Sequence, residues 1–270
     1  MKSAVTISLV PEARGGPFVF WDDLPVACVK ARELGFDAVE LFPPDADAID
    51  TEDLRSALDN TGLAVAAVGT GAGWVKHGLS LTSPDEEIRG RAVAFIERMM
   101  EFAARFEAPV IIGSMQGRAA GDVTRQVALR YLGNALFKLD EHAEDLGTTV
   151  LYEPLNRYET NLINTLADGV QFLTGAAMRN VKLLADLFHL SIEEANLAES
   201  LRKAGPHVGH VHFADSNRRA AGCGHTDFAP VVAALRVTGF GGYLSAEVLP
   251  LPDSDTAARQ TIGTFRRLVA

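Results

Sequence analysis

The chain has 270 residues, 47% of them hydrophobic and 22% charged, with a formal net charge of −10. That length suits one α/β barrel with a sizeable core, so disorder is excluded, and the acidic balance argues against a nucleic-acid partner, whose phosphates demand clustered Lys and Arg. No apolar run is long enough to span a bilayer, and the two cysteines, Cys28 and Cys223, give neither a disulfide framework nor paired metal-ligand spacing, so the expected compartment is the cytoplasm.

The first ten residues carry one Lys and then a short alternating stretch, which reads as a strand over 4–10 rather than a signal peptide. Further strand-like runs follow at 38–42, 64–70, 109–114, 149–155, 181–187, 208–214 and 242–249. Amphipathic segments near 22–34, 51–61, 84–106, 123–146, 165–177, 191–204, 228–238 and 254–268 read as the helices between and after them. Eight strands, each followed by a helix, predict one closed (β/α)₈ TIM barrel over residues 1–270. Glycines at 35, 62, 147, 205 and 239 fall where a left-handed residue ends a helix. Ser83 with Glu86, and Ser191 with Glu194, resemble capping boxes. A doubly wound sheet would alternate in the same way, but the segment after the first strand, Pro11 to Pro17, lacks a dinucleotide glycine fingerprint.

A barrel places its active site at the C-terminal strand ends, so polar residues there matter most. Glu153, Asp186, His212 and Glu247 sit at or near those ends on the last four strands. Three carboxylates and one imidazole make a hard O/N donor set suited to Mn²⁺, Mg²⁺ or Co²⁺. Each residue also has a plainer reading. Asp186 suits the N-cap of the next helix, and His212 suits a hydrogen-bonded barrel residue. Four such residues on four consecutive strands require four coincidences under the plain readings. His210 shares a face with His212 and lies one layer deeper, as a buried hydrogen-bonded neighbour rather than a ligand.

The segments Glu153-Pro-Leu-Asn-Arg-Tyr-Glu159, Asp186-Leu-Phe-His189 and His210-Val-His212-Phe-Ala-Asp-Ser-Asn-Arg218 closely resemble the xylose-isomerase-like barrels. Within these they look most like the ketose 3-epimerases of the D-tagatose/D-psicose group. The resemblance is densest from about residue 149 to 249. It implies that Glu153, Asp186, His212 and Glu247 hold one divalent ion, Mn²⁺ foremost. It further implies that Glu153 and Glu247 double as the acid/base pair and that Glu159, His189 and Arg218 contact a sugar-like substrate. A homo-oligomer, dimer or tetramer, also belongs to that implication. Read alone, Glu159 suits a solvated loop charge, His189 a cap for a helix beginning near Ser191, and Arg218 with Arg219 a surface pair.

The implied chemistry is coherent. A ketose has an acidic C–H beside its carbonyl, and a divalent ion stabilises the enediolate formed when that proton leaves. Epimerisation then needs a base on one face and a proton donor on the other. Hydroxypyruvate isomerases are the nearest rival on this scaffold, but typically carry Gln where this chain has His212. Inosose dehydratases, a lyase class, share it too. Endonuclease IV needs a His-rich multi-zinc site and a basic surface, against seven His and net −10 here. A non-catalytic sugar-binding barrel would have lost one of the paired Glu residues. The loop after the last strand carries Asp253 and Asp255 where barrels often seat phosphate, which favours an unphosphorylated substrate. The loops after strands one, three and four, with Phe18, Phe20, Trp21, Trp74, His77, Met115 and Arg118, are expected to shape the pocket.

Overall fold

Parallel strands covered by helices outside and by one another's side chains inside are apolar on both faces. The strand Ala38–Phe42 illustrates this, with all five residues buried, including its one charge, Glu40. In the computed structural model, which describes residues 1–269, eight such strands close into a barrel in sequence order. They are β1 (Lys2–Ser8), β2 (Ala38–Phe42), β3 (Ala64–Gly69), β4 (Val110–Ile112), β5 (Val150–Tyr152), β6 (Val181–Asp186), β7 (Val208–His212) and β8 (Tyr243–Ala246). All neighbouring pairs are parallel, and β8 closes on β1 through the register Lys2 to Tyr243 and Val5 to Ala246. The Thr6 hydroxyl reinforces that seam by donating to the Ala246 carbonyl at 2.9 Å.

The surrounding helices are α1 (Leu24–Leu34), α2 (Thr51–Thr61), α3 (Ala72–Val75), α4 (Glu86–Ala104), α5 (Arg125–Leu146), α6 (Leu166–Gly175), α7 (Leu187–Glu193), α8 (Leu197–Ala204), α9 (Phe228–Val237) and α10 (Ser254–Val269). The large core lies between their inner faces and the outer faces of the strands. A smaller one, Ala67, Ile111, Leu151 and Leu184, fills part of the lumen.

The predicted barrel is therefore present, with local corrections. The expected helix over 191–204 is two helices, α7 and α8, because Asp186 starts the first and Asn196 caps the second. Ser191 lies inside α7 and donates to the Phe188 carbonyl, so it caps nothing. Glu194 instead accepts from the Leu166 N–H and the Ser200 hydroxyl, tying α6 to α8. At α4 the cap is Asp85, which accepts from Glu87 N, while the Ser83 hydroxyl accepts from Asp85 N one turn earlier. The short α3 within the loop after β3 has no counterpart in the predicted elements. Gly35, Gly62 and Gly147 are left-handed helix ends as expected. Gly205 has positive φ but ψ of −124°, outside that region, because it leads into a 3₁₀ turn at Gly205–His207.

Gly62 has φ of 67° and nothing within 4 Å of where a Cβ would stand, so substitution there tests backbone strain alone. Gly62→Ala should destabilise the chain by about 1 kcal/mol in urea denaturation, with turnover unchanged, since it precedes β3 at the end remote from the strand C-termini.

Candidate active site

The four residues expected at the strand ends come together at the barrel mouth. Asp186 and His212 are the last residues of β6 and β7, while Glu153 and Glu247 each follow their strand by one position. His212 Nδ1 is the hub, 3.3 Å from Asp186 Oδ2, 3.5 Å from Glu247 Oε2 and 3.6 Å from Glu153 Oε1. Ligand atoms of Glu153, Asp186 and His212 all lie within 4.8 Å of one another, a spacing open to one metal ion.

Both readings of Asp186 hold at once. Its Oδ1 accepts from the N–H groups of Phe188 and His189 at 2.7 and 3.3 Å and so caps α7, while Oδ2 faces His212. The expectation of a choice between cap and site residue is corrected by the carboxylate having two oxygens to spend.

His189 does not cap a helix near Ser191. It lies in the first turn of α7, fully buried, with its ring turned into the mouth. The backbone N–H of Asn156 donates to its Nδ1 at 3.2 Å, so the ring proton belongs on Nε2. That Nε2 lies 3.8 Å from Glu153 Oε1 and 3.7 Å from Asp186 Oδ2, with no hydrogen-bond partner. Glu159 receives the Asn156 side-chain amide at 3.2 Å and is two-fifths exposed, which sets it at the rim.

Arg218 is not a surface pair with Arg219. Its Nη2 donates to Glu247 Oε2 at 3.1 Å, its Nη1 reaches Glu159 Oε1 at 3.5 Å, and its guanidinium lies over the Phe188 ring. Buried Asp215 holds the loop that presents it, accepting from the N–H groups of Ser216, Gly222 and Thr226 at 2.7, 2.8 and 3.0 Å. Arg218 sits in that loop at φ of 58°, an unfavourable conformation that the tether enforces.

The electrostatics follow from this crowding. Burial raises Glu247 above the usual carboxylate range, helped by Asp186 and Glu153 and opposed by His212 and Arg218. Burial also works against an ionised Asp186, but His189 and the hydrogen bond to His212 outweigh it and hold the group low. For His212 the desolvation that disfavours charge is overcome by Glu247, Glu40, Asp186 and Glu153, and its pKa rises. A proton on His212 is thus the cation the carboxylates draw in, at the point where a metal ion would serve them better. Glu153 Oε1 is buried without a hydrogen-bond partner beside that point. The oxygen-rich donor set and this unpartnered carboxylate oxygen fit a hard divalent ion.

Sequence reading missed two residues that shape the cluster. Glu40, on β2, is 5% exposed and receives His210 and His212 from across the lumen. Its signal was a lone carboxylate inside an otherwise apolar strand. Gly113 follows β4 by one position, and a Cβ there would run into Glu153 Oε2, so the glycine leaves the space that carboxylate uses. The expected position of His210 is met, buried and hydrogen-bonded to Glu40 Oε2 at 2.8 Å.

The mouth opens into a cavity of about 310 Å³. The loops after β1, β3 and β4 do line it, but largely through other residues than expected. Of the expected side chains only Phe18 lines it, together with Arg14, Phe42, Val75 and Leu155. Phe20 and Met115 are core, Trp21 packs against Phe18, and His77 faces a separate surface groove with Phe95. Trp74 and Arg118 lie outside the cavity lining. Asp253 is not a cavity residue either; it accepts from Thr256 N and Oγ1 at the start of α10, and Asp255 pairs with Arg259.

A closed parallel barrel with its polar cluster at the C-terminal strand ends is the architecture of a TIM-barrel enzyme. Residues 28–268 match the family described as xylose isomerase-like TIM barrel, and the chain belongs to that family. It is 32% identical to a D-psicose 3-epimerase of Agrobacterium fabrum over 81% of this chain and 76% of that one. It is 31% identical to a 3-dehydro-D-guloside 4-epimerase of Escherichia coli, over 80% of this chain and 83% of the relative. An L-ribulose 3-epimerase of Mesorhizobium japonicum is 31% identical over 83% of this chain and 75% of the relative. Among solved structures, a 3-keto-D-glucoside 4-epimerase from E. coli superposes with a TM-score of 0.82 at 24% identity, covering 99% of this chain and all of that one. With relatives of this kind, the reading of the chain as an enzyme of the isomerase class stands.

Two outcomes follow from the geometry. Gly113→Ala should displace the Glu153 carboxylate and cut turnover at least about tenfold while the fold persists, checked by steady-state rates alongside circular dichroism. Hydrogen bonds from its own loop hold Asp215 below the usual carboxylate range despite burial. Its contribution to loop stability is therefore present above that range and lost as pH falls through and below it. Protection factors of the Ser216–Thr226 amides, with the slowing of intrinsic exchange at low pH divided out, should fall on acidification, and Asp215→Asn should remove much of that pH dependence.

Proposed function

We propose that the chain is a divalent-metal-dependent ketose 3-epimerase acting on an unphosphorylated ketose through an enediolate. The observation that carries this reading is the convergence of Glu153 and Glu247, from opposite flanks of the mouth, on His212 Nδ1. The curated relatives support it. In a 2-ketose the inverted C3 adjoins the carbonyl, and in a 3-dehydro sugar so does C4, so both kinds of relative act beside a ketone. The proposed enzyme is one barrel over 1–270, cytoplasmic and homo-oligomeric.

Glu153, Asp186, His212 and Glu247 would hold the ion, Mn²⁺ by preference, with Mg²⁺ or Co²⁺ as substitutes. Bound there, the ion supplies Lewis-acid stabilisation of the negative charge that develops on the substrate oxygens. The residues do the rest. One of Glu153 and Glu247 removes the proton beside the carbonyl, and the other returns one to the opposite face. His189 presents Nε2–H toward the same space and can donate to a substrate oxygen. Arg218 anchors Glu247 and, with Glu159, closes the rim over the bound sugar. The Arg218 guanidinium is already engaged by two carboxylates and has little to offer a phosphate, and the other arginine of the lining, Arg14, lies over the Trp21 ring. Asp253 and Asp255 have no bearing on a phosphate in the cavity, because both lie outside its lining.

The test is turnover of D-psicose, D-tagatose and L-ribulose with metal saturation confirmed, together with deuterium uptake from D₂O at the carbon beside the carbonyl. Glu153→Gln and Glu247→Gln should each lose about 10²–10⁴-fold or more in kcat even when loaded. Asp186→Asn should be rescued substantially by added metal, because the amide oxygen preserves the cap on α7 and the residue moves no proton. Near-normal turnover by Glu247→Gln would defeat the two-carboxylate mechanism, and a marked preference for ketose phosphates would defeat the substrate assignment.

A further inference from the structure

Glu40 lies on β2, yet its carboxylate crosses the lumen to β7. There Oε2 meets His210 Nε2 at 2.8 Å and Oε1 meets His212 Nε2 at 3.2 Å. The two rings stand nearly perpendicular, at 89°, so each oxygen is addressed by one imidazole. An ionised carboxylate only accepts, so each facing nitrogen must carry its hydrogen. Both rings and the carboxylate are buried, and each carboxylate oxygen stands at hydrogen-bond distance from one ring nitrogen, so the contacts themselves pair one N–H with each oxygen.

We infer that Glu40 is a positioning residue for the metal site, fixing the tautomer and orientation of His212 so that the Nδ1 lone pair faces Glu153, Asp186 and Glu247. The inference rests on the reading of His212 as a metal ligand. The geometry leaves His212 little alternative. With Nε2–H committed to Glu40, a neutral ring has its lone pair on Nδ1, the atom 3.3 to 3.6 Å from the three carboxylates. A hydrogen-bonded carboxylate behind a ligating imidazole also raises its basicity toward the ion. His210 occupies the second oxygen of Glu40, so the carboxylate cannot swing away from His212. It does for Glu40 what Glu40 does for His212.

The same three residues could instead be imagined as a second cation site, since their ligand atoms lie within 4.8 Å of one another. The distances argue otherwise. Both nitrogens stand at N–H···O separations from the carboxylate, and a cation would need their lone pairs in place of those hydrogens.

The experiment uses the full chain, freed of metal by chelation and titrated with Mn²⁺ in a calorimeter. Wild type should bind one ion per chain. Glu40→Gln should also bind one, with affinity lower by about 10–100-fold, while its circular dichroism and its urea midpoint in the metal-free state stay near wild type. In ¹⁵N-histidine-labelled protein loaded with Mg²⁺ or another diamagnetic ion, His212 should appear as the Nε2–H tautomer, and Glu40→Gln should weaken that signature. Unchanged affinity and tautomer in a folded Glu40→Gln protein would overturn the inference. So would two ions per wild-type chain with one lost on substitution, which would make Glu40 itself a ligand. If Glu40→Gln does not fold, Glu40→Asp decides: its shortened carboxylate should also weaken Mn²⁺ binding, and undiminished binding overturns the inference. A wild-type chain that takes up no ion would refute the metal reading itself, a failure visible before any variant is made.

Discussion

The C-terminal mouth of this barrel depends on one constraint, which is that several carboxylates must stand close together, largely out of water, around a single imidazole nitrogen. Like charges at such separations repel far more strongly in a protein interior than in water. The arrangement persists because each carboxylate sits on a different strand end of one hydrogen-bonded barrel, so relaxing one would require the sheet to deform. The compensating groups are placed one by one. Backbone N–H groups of α7 serve Asp186, and the Arg218 guanidinium serves Glu247. Glu153 Oε1 is buried with no hydrogen-bond partner, 3.6 Å from the His212 Nδ1 on which the other carboxylates also converge.

Several acids in this structure divide their two oxygens between building and acting. Asp186 caps a helix with one and faces the site with the other. Glu40 binds the supporting His210 with one and the site residue His212 with the other. Asp215 spends both on the loop that carries Arg218, and Gly224 is excluded from bearing a side chain because a Cβ would meet that carboxylate. Positioning of the strand-end cluster and local folding are in this way the same contacts. Mutational effects on activity and stability should be correspondingly hard to separate at Asp215, and easier at Glu153, whose carboxylate holds no neighbouring backbone.

The barrel was legible because its signal is redundant, with eight apolar runs, each bounded by a helix pattern and many by a glycine. The strand-end residues were legible because topology alone places them, and Glu153, Asp186, His212 and Glu247 fall at successive strand ends. Helix starts at Ser83 and Ser191 were misread for a local reason. Hydroxyl and carboxylate caps compete within a few residues, and at these places Asp85 and Asn196 won, the latter after a break that the helical pattern did not mark. Glu40 escaped for the opposite reason. Its partners are 170 and 172 positions away, so nothing local to β2 distinguishes it from a stray charge until the barrel closes. Pocket side chains were the least legible, because aromatic residues in these loops serve both the core and the cavity, and only packing decides between them. Phe20 and Phe18 are two residues apart on one loop and ended on different sides of that decision.

The position of Glu40 also explains why the lumen is not uniformly apolar. On β3, β4, β5 and β6 the inward residue two places before the mouth is Ala67, Ile111, Leu151 or Leu184, and these pack together as a dry cluster. On β2 and β7 the equivalent layer holds Glu40 and His210 instead. One flank of the floor thus excludes water, and the other carries hydrogen bonds that anchor His212. The two halves reinforce each other. Low polarity around the Glu40–His210–His212 chain strengthens each hydrogen bond in it, and the completed chain removes the penalty of leaving any of its members unpaired. A wholly apolar floor would leave the His212 ring without its directing partner, and a wholly polar one would admit water that competes for the same Nε2–H. The mixed floor is therefore a requirement of placing one oriented imidazole beneath a cluster of acids.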